Sequence, residues 1–302
     1  LINSGPLTFN RITTSGNSDI VAAGTVTGGS LTSTAGTLAI TTTAGGNVLL
    51  GSVSAANGAT IIGAGLADID SITTSRGNVL VDMAGNVTVD AANVAGSFDI
   101  DSDADVVIGT TTSTGPTRVR ATGAITAASI TTTTGTGQTT EPALIRLAAG
   151  GAVNLGALNS ANAIDIAAAT LTGATSSLRA ATNVGIASRG AATFGTIDAA
   201  SALVTASGTL SFNRVTTSGD ASLSATGAIT GTLVETTGAG AVVNMTGSSI
   251  TQATIRAAGD ARLSATGGAL NVTSLASGGR VSATGSSVTI GGTTNLDFST
   301  LA

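Results

Sequence analysis

The chain contains no cysteine, histidine, lysine, tryptophan or tyrosine, and only three prolines and five phenylalanines in 302 residues. Without cysteine or histidine there are no thiol nucleophiles, zinc clusters, imidazole bases or Ser/His/Asp constellations. No disulfide holds the fold, although the lack of cysteine does not by itself identify a redox compartment. Charged residues make up 9% of the chain and the net charge is −5, all positive charge coming from eleven scattered arginines. With almost no aromatic residues, this offers neither a phosphate-tracking groove nor a base-stacking platform, so nucleic acid is not expected as a partner.

Long apolar runs are also missing. The mean hydropathy is +0.44, yet the longest apolar stretch, Ala143 to Leu171, is broken by Arg146, Asn154, Asn162 and Asp165. No transmembrane helix is expected. The aromatic girdles of a membrane β-barrel cannot be built from five phenylalanines, so no membrane insertion is expected. The residues from Leu1 onward do not form a basic, then apolar, signal segment, and the chain reads as an interior or processed piece of a longer product.

What is present is periodic. Isoleucine, valine or leucine returns at Ile20, Ile40, Ile61, Val81, Ile100, Val119, Leu147, Ile166, Ile186, Val204, Leu223, Val243, Leu263 and Val281. All gaps but one lie between 18 and 21 residues, and the exception is 28. A fixed period of this size is the signature of a solenoid. Lines such as GDARLSATGGALNVTSLAS from Gly259 carry three apolar clusters. Each is a short β-favouring run with period-two alternation, set off by Gly, Asn, Ser or Thr suited to tight corners.

The expected fold is therefore all-β: a right-handed parallel β-helix of about 14 to 15 coils of ~20 residues, with three short strands per coil. It is expected to form one continuous β-solenoid over residues 1–302, about 70 Å long at the usual strand spacing. A coil burying four or five aliphatic side chains at ~1.5 to 3 kcal/mol each cannot offset the ordering cost of its own backbone, so stacked neighbours are obligatory. The 28-residue gap contains TTTTGTGQTTEP, whose surplus of about eight residues must leave the coil. A protruding loop is expected at 131–142, read chiefly as a tolerated insertion and secondarily as a contact site. At longer range, LTFNRITTSG from Leu7 returns as LSFNRVTTSG from Leu210, a shift of 203 residues.

Two polar patterns are candidates for function. Asp99, Asp101, Asp103 and Asp105 stand at alternate positions in FDIDSDADVVIG, and carboxylates in that arrangement can hold a hard cation such as calcium. The run lacks the spacing of an EF-hand loop and the glycine-rich nonapeptide of calcium-binding β-rolls. Arg118 and Arg120 lie one coil on from Asp99 and Asp101, so cross-rung ion pairs worth ~0.2 to 1 kcal/mol each also account for these residues. Threonine pairs at Thr13 and Thr14, Thr73 and Thr74, Thr131 and Thr132, and Thr216 and Thr217 invite comparison with ice-binding solenoids. The equivalent positions hold Arg179 and Ala180, Asp198 and Ala199, Glu235 and Thr236, and Arg256 and Ala257, which favours ordinary corner chemistry. No catalytic residue, cofactor-binding residue or cofactor is expected. A polysaccharide-active β-helix, a lesser alternative, typically clusters carboxylates with Lys, Arg, His or Tyr and stacks sugars on aromatic rings, and of these the chain has no Lys, His, Tyr or Trp.

Segments such as GDASLSATGAITGTL from Gly219 and GDARLSATGGALNVTSLASGGRVSATGSSVTIGG from Gly259 resemble the shaft repeats of filamentous haemagglutinin-type adhesins. That resemblance covers nearly the whole chain in period and composition. It implies a large bacterial protein, extracellular at the cell surface or secreted through a partner outer-membrane pore, whose shaft holds binding regions away from the cell. The family's secretion domain is not recognisable here. The function expected is a structural shaft of an adhesin or surface filament, with a head-to-tail filament or surface-layer subunit as the alternative. The expected partners are further repeats or identical subunits end to end, and a host or neighbouring cell surface.

Overall fold

The computed structural model describes residues 1–134 and 142–292. The chain is all-β, a parallel β-solenoid of about 15 turns with about 19 residues in each. It divides into two compact units, Leu1–Asn154 and Leu155–Ala302. Among the described residues there is no helix.

In the first unit, after an opening coil whose short strand is Ile2–Asn3, the coils contribute a five-residue and an eight-residue strand, as in Val79–Met83 followed by Val87–Val94. Each strand pairs in parallel with its equivalent one coil on: Phe98–Ser102 with Thr117–Ala121, and Val87–Val94 with Val106–Ser113. The second unit repeats this plan, for example with Ala221–Ala225 followed by Ile229–Thr236.

The expected three short strands are present as three faces but as only two hydrogen-bonded segments. The eight-residue strands change inward parity halfway: in Val87–Val94 the buried residues are Val87, Val89, Ala92 and Val94. Period-two alternation cannot give that pattern on a straight strand, so the chain turns a corner between Val89 and Ala92 while the ladder on either side continues. One coil of the second unit opens the same corner. There Thr170–Thr172 and Ser177–Ala180 are separate strands with Gly173, Ala174, Thr175 and Ser176 between them.

All fourteen landmark residues are buried, none more than 3% exposed. Two are out of column. Leu223 pairs with Met245, not Val243, and Leu263 pairs with Ala283, not Val281. Val243 and Val281 pair instead with Ala221 and Ala261. A shift of two residues keeps a side chain on the same face, so both valines still point inward although the register differs.

Corners are closed by side chains rather than by proline. The last inward position of the long strands holds Thr14, Ser33, Thr74, Ser113 and Thr132 in the first unit, aligned through Ala55 and Val94. The hydroxyl of Ser113 donates to the Gly115 carbonyl at 2.8 Å, and that of Thr132 to Ala143 at 2.8 Å. In the second unit Thr217 donates to Gly219 at 2.6 Å and Thr236 to Ala241 at 3.0 Å. Elsewhere an Asn or Asp accepts an amide from the next coil: Asn78 from Ser97 at 2.9 Å, Asp105 from Ala124 at 2.7 Å, Asp220 from Val242 at 2.8 Å. Each such bond satisfies a backbone group that the turn takes out of the ladder.

Candidate functional site

The acidic run does not gather into one cage. Asp99 and Asp101 lie on the outer face of Phe98–Ser102, whereas Asp103 and Asp105 lie in the turn that follows. Asp99 Oδ1 meets Arg118 Nη1 at 3.2 Å and also receives the Ser97 hydroxyl on Oδ2 at 2.9 Å. Asp101 meets Arg120 at 3.4 Å, and Asp105 accepts the Ala124 amide. The pairs are in register, Asp99 with Arg118 and Asp101 with Arg120, so the cross-rung reading describes the geometry. Among the described residues no group of three or more metal-ligating side chains converges.

The threonine pairs also separate. Adjacent residues of a strand face opposite ways, and the second member of each pair is inward: Thr74, Thr132 and Thr217 are buried at 4%, 2% and 1% exposure. Their hydroxyls belong to the corner bonds described above. The first members point outward in register, Thr13 with Thr32 and Thr112 with Thr131, so a pair presents one hydroxyl to the surface.

Of the loop expected at 131–142, Thr131 and Thr132 belong to the strand Ile125–Thr132, and residues 135–141 lie outside the described residues.

The second unit carries a concave site that the sequence reading did not assemble. On the outward face of successive long strands, Asn159, Arg179, Asp198, Thr216, Glu235 and Arg256 follow one another in register. Two adjoining hollows open there, of about 460 Å³ and 280 Å³, and both are lined by Arg179, Asp198 and Thr216. Arg214, Ser177, Thr196 and Ile197 complete the smaller hollow. Ala180, Ala181, Ala199 and Ala200 are among the residues that line the larger.

Its charges are loosely tied. Arg179 Nε is 3.9 Å from Asp198, and the two side chains are 72% and 64% exposed. Arg214 donates Nε to Thr216 Oγ1 at 2.8 Å, while its Nη2 stays 3.8 Å from Glu235. Arg256 reaches the same Glu235 at 3.6 Å. The three ion pairs, at 3.6 to 3.9 Å, exceed hydrogen-bond length, unlike Asp99–Arg118 at 3.2 Å and Asp260–Arg262 at 3.1 Å. The positions recur at intervals of 18 to 21 residues along the sequence. That spacing was visible, but which of these residues border a hollow depends on how the coils stack.

No family model matches the chain, and neither a curated protein nor a solved structure matches it.

Proposed function

We propose that this chain is a structural shaft segment of a bacterial extracellular adhesin or surface filament, displayed at the cell surface or secreted, which holds binding regions away from the cell. The observation that carries this reading is the ladder itself. In both units every coil hands its strands in register to the next, through backbone bonds and continuous inward columns. Such an array gains stability from each neighbour and resists bending because a bend must stretch many parallel bonds at once. The resemblance to filamentous haemagglutinin-type shaft repeats supports the same reading. No catalytic step is proposed.

Electron microscopy of the purified chain over a range of concentrations tests it. Discrete slender particles of one chain length are expected. Fibres that lengthen with concentration would favour the self-assembling subunit, and compact globules would overturn both.

A further inference from the structure

We infer that the hollow on the second unit is a recognition site for carboxylate-bearing saccharides, with Arg179 and Arg214 reading the carboxylate. This goes beyond the shaft reading and does not depend on it.

Three observations converge on this ligand class. First, neither guanidinium closes a short bond to an acid, although Arg214 donates Nε to Thr216 Oγ1 at 2.8 Å. Neither Arg179 nor Arg214 hydrogen-bonds to an acid: the nearest carboxylate oxygens stand 3.9 Å and 3.8 Å away. Elsewhere on the molecule Arg118 and Arg262 are bonded to theirs at 3.2 Å and 3.1 Å. A guanidinium presents a planar fork of donors that matches a carboxylate with two parallel bonds. The lining of the smaller hollow holds two such forks and one acid, Asp198, while Glu235, outside that lining, stands 3.8 Å from Arg214.

Second, the remainder of the lining suits hydroxyls. Ser177, Thr196 and Thr216 edge the smaller hollow, and Asn159, Ser218 and Thr237 the larger. Asp198 supplies an acceptor for a sugar hydroxyl.

Third, the backbone closes one route to the obvious competitor. An extended acidic peptide binds best by adding to a free sheet edge. Here Ser177–Ala180 is bonded on both sides, to Ala152–Ser160 and to Ala192–Ala199, and Leu210–Thr217 likewise to its two neighbours. Side chains must therefore read the ligand, and those present offer guanidinium forks and hydroxyls together. The hollow is shallow and open, so single-site binding will be weak and strongly salt-dependent.

The test titrates the full chain with trigalacturonate, with sialyllactose and with neutral galactobiose, followed by saturation-transfer NMR and calorimetry. At least one carboxylated probe is expected to bind about tenfold or more tightly than galactobiose. Whichever arm responds identifies the source, a plant or microbial uronate or a host sialoside. Arg179→Gln with Arg214→Gln should reduce that probe to the level of galactobiose, and Arg179→Lys with Arg214→Lys should restore only part of the affinity. Arg262→Gln, on a different face, should leave binding unchanged. All three variants alter exposed side chains, and an unchanged circular dichroism melt confirms their fold. Equal binding of charged and neutral probes, equal loss in the Arg262→Gln variant, or tighter binding of oligoglutamate than of either saccharide would each overturn the assignment. A negative result here leaves the microscopy test of the shaft reading untouched, and the reverse also holds.

Discussion

Phe212 stacks on Phe194 one coil away, with ring centroids 5.5 Å apart and planes inclined by 11°. The next residue in that column is Gly231. A Cβ there would stand 2.4 Å from the Phe212 ring, so the glycine is the space the ring occupies. The other copy of the duplicated block repeats the relation: Phe9 is in register with Gly28, whose Cβ would stand 2.2 Å from the ring. Since 9 and 212, like 28 and 231, differ by 203, the duplication preserves a packing unit of a ring over a glycine.

Gly231→Ala should therefore destabilise the second unit by about 1 to 3 kcal/mol through overpacking. Phe212→Leu in the same chain should recover much of that loss, because the smaller side chain vacates the space. Urea unfolding of the two single variants and the double variant measures the coupling, and simple additivity would show that the ring and the glycine do not interact.

One coil further in the same column lies Gln252. It is 2% exposed and its Oε1 has no hydrogen-bond partner. An unpaired buried amide oxygen costs about 1 to 3 kcal/mol, and methionine has nearly the same shape without that group. Gln252→Met is expected to raise stability by about 1 kcal/mol. A lower thermal midpoint for this variant would mean that the amide is satisfied in solution.

Two buried hydroxyls on the strand Val106–Ser113 should respond in opposite directions. Ser113 Oγ contacts both the Gly115 carbonyl at 2.8 Å and Thr117 Oγ1 at 2.9 Å, whereas Thr111 Oγ1 has no partner. Ser113→Ala should cost about 1 to 3 kcal/mol, since it orphans a corner carbonyl, while Thr111→Val should be neutral or stabilising. Chemical denaturation of the pair decides between corner chemistry and simple burial as the role of these hydroxyls.

Asp260 is held below the usual carboxylate range, chiefly by the Arg280 amide that it accepts at 2.9 Å, with burial opposing and Arg262 at 3.1 Å assisting. A carboxylate whose folded pKa is depressed contributes stability above its unfolded value and loses it as pH falls through the folded one. The Asp260 contribution should thus be complete at neutral pH and disappear in acid, below about pH 3.8. Asp260→Asn keeps an acceptor for the Arg280 amide, as Asn78 does for Ser97. Its urea midpoint should fall less than that of the unaltered chain between pH 6 and pH 2. An identical fall in both would remove Asp260 from the acid response.

The periodic part of the structure was open to reading because a repeat multiplies its own signal. Alternation of two within a run and a period near 20 between runs place Ile20, Ile40 and Ile61 inward whatever surrounds them. Asp99 and Arg118 could be paired from their spacing alone for the same reason. Register was the weaker inference. The coil from Leu223 to Met245 is 22 residues long, and Val243, the better apolar residue, misled the count. Only the ladder of hydrogen bonds distinguishes a true column from one displaced by two residues, because both bury the same face.

The sequence alone determined the fold class, the inward columns and the exclusion of thiol and imidazole chemistry, since these follow from composition and period. Tertiary structure decided which residues meet across coils. It gave the second threonine of each pair to a corner, merged two of three faces into one bent strand, and set Gly231 beneath Phe212. It also left Arg179 and Arg214 around a hollow without acids close enough to bond them. The last two relations join residues 19 and 35 positions apart, and all of them rest on corner geometry and side-chain volumes that the alternation alone does not encode.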